Sequence, residues 1–219
     1  MMNNRELQRL IAGLFPDDVA VAGSVTCPTD AALLPEEQHQ TTAMVAKRLR
    51  EFTHGRHCAR QAMQQLGHAP APVLKHEDRS PVWPDQICGS ISHTGDIAAA
   101  VVAHRDGYRS LGLDIETAEP LDESTHALIL RPDERSADGA QAKLIFSAKE
   151  AIYKTLYPLV GSYLDFQEMV VEFDKADGTF AAQPHTDRVP PPLAAALQGR
   201  YQVTPDWVVA ATWIRAAAD

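Results

Sequence analysis

The sequence predicts an α+β fold made of two similar halves. The prediction depends on two observations: a long helical pattern is followed by several short strand patterns, and the same order then occurs a second time. A chain of 219 residues is long enough to bury a core as one large domain or two small ones. We place the halves at residues 1–110 and 111–219, and we find no sequence repeat between them.

In the first half, apolar residues recur at helical spacing over residues 36–66. This pattern predicts either one helix or two helices that break near Gly55, with Gly67 ending the second. A loop with four prolines occupies residues 69–84. Three strands separated by glycine-containing turns are predicted next, at 89–93, 97–104 and 110–115.

The second half begins with a polar, acidic linker at residues 120–139, in which a helix is expected from Asp122. Apolar residues spaced by three and four then predict a helix through residues 146–157 that stops at Pro158. Three more strands are predicted, at 169–173, 199–203 and 207–214.

Composition limits the possible functions. The net charge of −9 argues against a general nucleic-acid binder, because such proteins need a basic face. The best apolar run, residues 97–103, is too short to span a bilayer, and the N-terminal residues do not resemble a signal peptide. We therefore expect a cytoplasmic protein with no membrane partner. Three scattered cysteines indicate reduced, buried thiols rather than disulfides or a zinc site.

A local cluster of positive charge occurs at residues 47–60, a stretch whose only acid is Glu51. It is a candidate phosphate site, although a solvated helix face would explain the charges equally well. Its members are Lys47, Arg48, Arg50, Arg56 and Arg60.

Two acidic motifs are candidates for metal chemistry. Asp114 and Glu116 lie two apart at a predicted strand end, so both carboxylates share one face, where they could bind Mg²⁺ or Mn²⁺ or simply aid solubility. Glu150 and Lys154 lie one helical turn apart on a face with Ser147. They could be catalytic or a surface ion pair. Ser147 and Glu150 could instead form a capping box, but the apolar pattern begins earlier, which favours a helix interior.

The segment with Ser90, Ser92 and His93 offers hydroxyl and imidazole donors to a phosphate, or forms a capped hairpin turn. A Ser/His/Asp hydrolase using Asp114 is an alternative. Against it, the sequence has no G-x-S-x-G motif, and adjacent Ser92 and His93 would point to opposite faces of a strand. His54 and His57 have the spacing of a zinc pair but lack further ligands, so we place them on a helix surface.

Five segments occur together in one order: GRHCARQAM (55–63), RSPVWP (79–84), GSISHTG (89–95), LGLDIE (111–116) and FSAKEAIYK (146–154). Over roughly residues 36–175 the chain resembles the Sfp-type 4′-phosphopantetheinyl transferases, in the branch related to enterobactin-type and mycobacterial-type bacterial enzymes. Two departures supply no chemistry: Phe146 stands where many relatives have Trp, and Ala151 stands where some have Ser.

The resemblance implies the 4′-phosphopantetheinyl transferase fold, a pseudo-twofold monomer with coenzyme A in the cleft between the halves. It implies Asp114, Glu116 and Glu150 as metal ligands for Mg²⁺, with Mn²⁺ possible, and Glu150 and Lys154 as catalytic residues. Coenzyme A as the substrate would be contacted by Arg48, Arg56, Lys75, Arg79, Ser92, His93, Lys149 and Lys154. Tyr153 and Tyr163 could line a groove for the pantetheine arm, or be ordinary core or surface aromatics.

The implied activity is transfer of 4′-phosphopantetheine from coenzyme A to a serine of an apo acyl or peptidyl carrier protein, with release of 3′,5′-ADP. Either Glu150 or a water on the metal would be the base. Carriers of siderophore, polyketide or nonribosomal-peptide biosynthesis are the expected partners. Two alternatives stay open: another metal-dependent phosphoryl or nucleotidyl enzyme, and a non-catalytic coenzyme A-binding protein.

Overall fold

The computed structural model describes residues 2–134 and 137–217, and its mixture of helices and strands confirms the α+β class. The helices are α1 (Asn4–Ala12), α2 (Pro35–Gln38), α3 (Ala46–Gln65), α4 (Glu123–Ile129), α5 (Gly139–Val160) and α6 (Pro191–Ala196), with a 3₁₀ turn at Phe166–Glu168. The strands are β1 (Ala20–Ser24), β2 (Leu74–Lys75), β3 (Pro81–Val82), β4 (Ile87–Thr94), β5 (Ile97–His104), β6 (Tyr108–Thr117), β7 (Met169–Asp174), β8 (Thr179–Pro184), β9 (Gln198–Val203) and β10 (Trp207–Arg215). The chain divides into two units, residues 1–108 and 109–219.

The first unit is a three-stranded antiparallel sheet, in the order β1-β5-β4, covered by α3. Small side chains line the contact, which lets the helix approach the strands closely. They include Cys58, Ala59 and Ala62 on α3 and Ala98 and Ala100 on β5, all nearly inaccessible to solvent. A separate two-stranded hairpin, β2-β3, follows the helix.

The break in the first helical pattern lies earlier than the sequence predicted. The structure ends α2 at Gln38 and starts α3 at Ala46, and Gly55 lies inside α3. Gly55 is there for packing, because a Cβ atom at this position would lie 2.8 Å from Ile91 Cγ2. The predicted end at Gly67 is confirmed: it follows the last residues of the helix with a φ of +76°, a conformation that favours glycine.

The second unit is a five-stranded sheet in the order β6-β10-β9-β8-β7, packed against α5. The predicted strand at 110–115 belongs to this sheet as β6. Helix α5 is longer than predicted: Asp138 caps its first turn and it continues past Pro158 to Gly161, whose φ is +66°. Pro158 has no N–H to donate to the carbonyl oxygen four residues before it, so one helix hydrogen bond is missing, but the helix continues for two more residues.

Gly112 brings β6 and α5 unusually close together. An added Cβ atom would lie 2.0 Å from the carbonyl oxygen of Ala151 and 2.4 Å from Thr155 Oγ1. Only glycine therefore fits at this point of β6. Because side chains alternate along a strand, Asp114 and Glu116 lie on the same face of β6 as Gly112, the face toward α5.

The structure also bears on the predictions for the cysteines and for a membrane span. Cys58 and Cys88 are buried free thiols as predicted, whereas Cys27 is only half-buried, which corrects the prediction for that residue. Among the residues in the described ranges, the structure contains no helix long and apolar enough to cross a membrane.

Candidate active site

In the second unit, β6 and α5 bring together the four residues that the acidic motifs singled out. Lys154 donates hydrogen bonds from Nζ to Asp114 Oδ1 at 2.7 Å and to the carbonyl oxygen of Leu113 at 2.9 Å. Asp114 is nearly buried, with 5% of its side chain exposed, whereas 25% of the Lys154 side chain is exposed. Ser147 is inside α5, which confirms a helix interior over a capping box.

Glu116 has a lysine partner that the sequence reasoning missed. Lys143 Nζ lies 3.5 Å from Glu116 Oε2, and both side chains are largely buried. Lys143 is seven residues before Glu150 on α5, so the two share a helix face. The predicted helix began only at residue 146, and extending it by one turn would have placed Lys143 on this face.

The carboxylates of this cluster affect one another electrostatically. Burial raises the pKa of Glu116, and the nearby Asp114 carboxylate raises it further, against the opposing effect of Lys143 and Lys154. Burial also raises the pKa of Glu150, where Lys154 opposes and Asp114 adds to the shift. Burial is the main cause in both cases, and the lysines reduce the pKa shifts without cancelling them.

This cluster has the chemistry of a site for a hard divalent cation. Carboxylate oxygens are the ligands that Mg²⁺ and Mn²⁺ prefer, and a cation would relieve the repulsion between the carboxylates. Ser147 lies on the adjoining turn of α5, and its buried hydroxyl has no hydrogen-bond partner among residues 2–134 and 137–217. An unpaired buried hydroxyl is unfavourable, so a bound ligand that accepts its hydrogen bond is expected there.

The carboxylates of this cluster are paired with lysines and do not converge on one point. Within the ranges that the structure describes, no three Asp, Glu, His or Cys side chains lie close enough together to hold a metal ion. Asp114 instead pairs with Lys154, and Glu116 pairs with Lys143. The residue types therefore fit a divalent cation. A bound cation would compete with Lys154 for Asp114 and with Lys143 for Glu116.

Lys149, predicted to contact coenzyme A, has buried partners within its own unit. Its ammonium is buried, with 1% of the side chain exposed, and lies 2.5 Å from Glu134 Oε2. It also donates to the carbonyl oxygens of Ile129 and Phe166 at 2.9 and 3.0 Å. These three acceptors belong to its own unit, so Lys149 fastens α4 and the 3₁₀ turn to α5.

An apolar cavity of about 120 Å³ lies beside Glu150 in the second unit. Tyr153 and Tyr163 both line it, with ring centroids 5.8 Å apart and edge-to-face. The rest of its lining is Lys149, Ile152, Leu164, Asp165, Phe166 and Met169. Tyr163 is 59% exposed, so the cavity has an aromatic side chain at its solvent side.

In the first unit, the structure brings His93 and Arg48 together. Arg48 Nη1 lies 2.9 Å from His93 Nε2 and 3.3 Å from Glu51 Oε2. A guanidinium only donates, so Nε2 is the acceptor and the imidazole has its proton on Nδ1. A cavity of about 90 Å³ adjoins His93 and is lined by the basic residues Lys47 and Arg50 and by the acids Glu51 and Asp96. Lys47 and Arg50 are exposed, so this part of the basic cluster can reach an anion despite the two acids.

The remaining basic residues of the cluster point inward. Arg56 is 7% exposed, and it donates to the carbonyl oxygens of Val73 at 2.8 Å and Leu74 at 3.2 Å. Burial lowers the pKa of Arg56 to about 10, which leaves it charged at neutral pH. Arg60 pairs with the fully buried Glu37 at 2.7 Å. The cluster is therefore partly structural, in contrast to either sequence interpretation.

Lys75 and Arg79 belong to the β2-β3 hairpin. Lys75 is half-buried on β2, and Arg79 is exposed in the turn between the strands. Arg79 adopts a φ of +73°, in the left-handed region that residues other than glycine rarely occupy.

His54 corrects the surface position predicted for the His54 and His57 pair. It is 3% exposed, and its Nε2 lies 2.5 Å from Ser24 Oγ. Burial lowers the pKa of His54 to about 4, so the imidazole is neutral at ordinary pH. The hydrolase alternative also loses support, because Ser92 and His93 both lie inside β4 and therefore point to opposite faces.

Comparison with known families supplies the decisive observation. The model of the 4′-phosphopantetheinyl transferase N-terminal domain matches residues 36–103, and the model of the 4′-phosphopantetheinyl transferase superfamily matches residues 110–211. These two matches cover most of the chain. The chain belongs to the 4′-phosphopantetheinyl transferase superfamily.

Individual relatives agree with this family. The chain is 36% identical over 176 residues to 4′-phosphopantetheinyl transferase Npt of Nocardia iowensis, covering 78% of this chain and 79% of the relative. It is 38% identical over 177 residues to 4′-phosphopantetheinyl transferase PptT of Mycobacterium tuberculosis, covering 75% and 78%. Enterobactin synthase component D of Escherichia coli is 35% identical over 153 residues, covering 64% and 70%. The predicted family, its branch and the enzyme class are confirmed.

The raised pKa of Glu116 in this transferase predicts an unusual effect on stability. In protein treated with EDTA at about pH 7, we expect Glu116→Gln to have a higher Tm than the wild type. Because the folded-state pKa of Glu116 is raised, its contribution to the free energy of unfolding is fully favourable below its usual pKa and is lost as the pH rises through the folded value. Gln resembles the protonated carboxyl group at every pH, so it does not lose this contribution. The difference in Tm should therefore shrink as the pH falls toward about 5.

Differential scanning calorimetry measures this difference, and Glu172→Gln, at an exposed position of β7, is the control. We expect the control to have nearly the same Tm as the wild type. A wild-type protein more stable than Glu116→Gln at neutral pH, without metal, would show that Lys143 outweighs burial and repulsion.

Proposed function

We propose that this enzyme transfers the 4′-phosphopantetheine group of coenzyme A to a serine of an apo acyl or peptidyl carrier protein and releases 3′,5′-ADP. The observation that supports it most is the cluster of Asp114, Glu116, Glu150 and Lys154 on β6 and α5, in a chain of this superfamily. We further propose that Asp114, Glu116 and Glu150 would hold Mg²⁺, or alternatively Mn²⁺.

Coenzyme A has a pyrophosphate and a 3′-phosphate, so its site must supply cations. In the first unit, we propose that Arg48 and His93 contact phosphate oxygens, with Lys75 and Arg79 at the nucleotide end. Ser92 is 4% exposed and points to the other face of β4, so its side chain is not part of this group. The cavity beside His93, which Lys47 and Arg50 also line, supports this assignment. Arg56 would act through the backbone carbonyls that it holds.

In the transfer step, the hydroxyl oxygen of the carrier serine forms a bond to the β-phosphorus, and the bond from that phosphorus to the bridging oxygen of 3′,5′-ADP breaks. We propose that Glu150, one helical turn from Lys154 on α5, accepts the hydroxyl proton. Lys154, fixed beside Asp114, stabilises the negative charge that develops on the 5′-phosphate of the departing 3′,5′-ADP. A bound divalent cation would supply charge neutralisation of the phosphates.

The cavity beside Glu150 is a candidate for the pantetheine arm. Its lining is mostly apolar, which suits the methylene and gem-dimethyl groups of the arm, and Tyr163 is exposed at its edge. An arm that lay against Tyr153 and Tyr163 would leave its thiol end near solvent. We propose carriers of siderophore, polyketide or nonribosomal-peptide assembly as acceptors, and a monomer as the active form.

Product identity tests this function against the two alternative functions. The enzyme is incubated with coenzyme A, Mg²⁺ and an apo-carrier protein, and nucleotides are separated by chromatography. We expect 3′,5′-ADP in equal amount to the holo-carrier formed, and none when the carrier is left out. Another nucleotide product would indicate a different phosphoryl or nucleotidyl enzyme. Coenzyme A recovered intact would indicate a binding protein.

His93→Ala should discriminate between coenzyme A and its 3′-dephospho form. We expect the KM for coenzyme A to rise about 10- to 150-fold, the loss of one charge-assisted hydrogen bond to a phosphate, and the KM for 3′-dephospho-coenzyme A to change much less. Steady-state kinetics with both substrates measures the effect, with His104→Ala, at the exposed end of β5, as the control. Equal losses on both substrates would mean that His93 does not contact the 3′-phosphate.

Acylated donors should be accepted by the enzyme. The reaction takes place at phosphorus, so the thiol end of the arm has no chemical role and only the phosphates must be fixed. We expect acetyl-coenzyme A and longer acyl-coenzymes A to support transfer within about tenfold of the rate with coenzyme A, equivalent to about 1.4 kcal/mol. The mass gain of the carrier with each donor measures this. Refusal of every acylated donor would indicate a closed thiol pocket.

A further inference from the structure

The segment Val73–Lys75 of the first unit is held mainly by side chains of other elements. Its strand β2 pairs only with the two-residue strand β3, through Leu74 with Val82 and Lys75 with Pro81. A hairpin this short has little stability of its own. The position of Lys75 therefore depends on what else contacts the segment.

Gln40 makes a two-bond contact with the backbone of Lys75. The Lys75 N–H donates to Gln40 Oε1 at 2.8 Å, and Gln40 Nε2 donates to the Lys75 carbonyl oxygen at 3.0 Å. A primary amide that bonds both the N–H and the C=O of one residue replaces the hydrogen bonds that a neighbouring strand would supply. Gln40 thus fixes the backbone at this residue.

Two charged residues hold the preceding positions. The Val73 N–H donates to Glu37 Oε1 at 2.9 Å, and Arg56 donates to the carbonyl oxygens of Val73 and Leu74. Glu37 is 0% exposed, and both of its carboxylate oxygens accept hydrogen bonds from Arg60. Together these contacts form a clamp, by which we mean the side chains of Glu37, Gln40 and Arg56 on the segment Val73–Lys75.

We propose that Gln40 is a positioning residue for coenzyme A binding, acting through the backbone of Lys75. This inference rests on the proposed function, in which the Lys75 ammonium contacts the nucleotide end of coenzyme A. A long side chain loses conformational freedom when it binds a phosphate, and a fixed backbone reduces the remaining loss. Without Gln40 the hairpin would move, and Lys75 would meet the ligand less often in the correct position.

Gln40 is the member of the clamp that can be tested without unfolding the protein. Glu37 and Arg56 are buried charges, and removing either one leaves the groups around it uncompensated. Gln40 is neutral and half-buried. Gln38 is a matched control, because it lies two residues earlier at the end of α2, is exposed, and donates its side-chain hydrogen bond to the Leu33 carbonyl oxygen instead.

The experiment compares Gln40→Ala, Gln38→Ala, Lys75→Ala and the double variant Gln40→Ala/Lys75→Ala. Calorimetric titration with coenzyme A and Mg²⁺ gives Kd, and kinetics with an apo-carrier at saturation gives KM and kcat. We expect Gln40→Ala to weaken coenzyme A binding and raise KM by about 3- to 10-fold while kcat stays within about twofold. Gln38→Ala should match the wild type. In the Lys75→Ala background, adding Gln40→Ala should have no further effect on KM.

Three results would overturn the proposal in different ways. If Lys75→Ala weakens binding but Gln40→Ala does not, the positioning role is wrong and the assignment of Lys75 stands. If the two single effects add fully in the double variant, Gln40 acts through another group. If Lys75→Ala itself leaves Kd and KM unchanged, the contact assigned to Lys75 in the proposed function is wrong, and the role of Gln40 is overturned with it.

Discussion

Replacement of Asp114 by Asn is expected to lower the transfer rate on the order of 10²- to 10³-fold, equivalent to a loss of several kcal/mol of transition-state stabilisation. Asp114 lies nearest the centre of the cluster: it holds the Lys154 ammonium at 2.7 Å and its charge raises the pKa values of Glu116 and Glu150. Asn has nearly the same shape and can still accept a hydrogen bond from Lys154. The loss would therefore be one of charge rather than of fold.

Carrier modification at increasing Mg²⁺ concentration measures this effect, with circular dichroism and Tm to verify the fold. Asp177→Asn, in the exposed turn between β7 and β8, is the control and should behave as the wild type. A folded Asp114→Asn protein with nearly the wild-type rate at low Mg²⁺ would refute the assignment of Asp114 as a metal ligand.

Glu150→Gln is expected to be as severe, because this residue is proposed both to hold the metal and to accept the serine proton. Removing a general base typically lowers the rate 10²- to 10⁴-fold, in addition to any weakening of metal binding. The raised pKa of Glu150 also has a consequence in the wild type. Metal binding requires the carboxylate, so the affinity for Mg²⁺ should fall with decreasing pH from a point above the usual glutamate value of 4.5.

The two roles of Glu150 can be separated by saturating the variant with Mg²⁺. If the rate returns to the wild-type value at high Mg²⁺, Glu150 is a ligand only, and the proton goes elsewhere. If the rate stays low at saturation, the role as a base is supported. A rate unaffected at every Mg²⁺ concentration would contradict both roles. Glu172→Gln, on the exposed face of β7, is the control for the loss of a carboxylate.

Local periodicity predicted well which residues of the second unit share a face of β6 or of α5. A period of two placed Asp114 and Glu116 on one face of a strand, and helical spacing placed Glu150 and Lys154 on one face of a helix. The approach of the two elements could not be predicted this way, because it depends on Gly112 meeting the backbone of α5. The pairing of Lys143 with Glu116 follows from that approach and was missed for the same reason.

The burial of polar and charged side chains was the feature that the sequence predicted least well. Lys149 and His54 look like exposed polar positions in the sequence, yet each lies buried with partners that are distant along the chain, Glu134 and Ser24. Charged and polar side chains are buried only when tertiary contacts satisfy them, and single-sequence patterns do not contain those contacts.

Among the secondary-structure elements, the long strands and helices were predicted and several short ones were not. β5 is a continuous apolar run, so its sequence pattern is strong. β2 and β3 have two residues each, which is too short for a pattern, and β2 is held by the clamp. The strand β8 was missed because Thr179–Pro184 lacks clear alternation and ends in proline. Helix α5 continues past its predicted end, because Pro158 removes a single backbone hydrogen bond and does not end the helix.

In the proposed reaction, the enzyme moves phosphopantetheine onto a carrier serine. Intact-mass spectrometry of an apo-carrier protein after incubation with the enzyme, coenzyme A and Mg²⁺ tests this most directly, alongside the same carrier with its acceptor serine replaced by alanine. We expect a gain of one phosphopantetheine on the native carrier, no gain on the alanine carrier, and loss of the gain with EDTA or with Asp114→Asn. An unmodified carrier, tested across acyl and peptidyl carriers with a folded enzyme that binds coenzyme A, would contradict it.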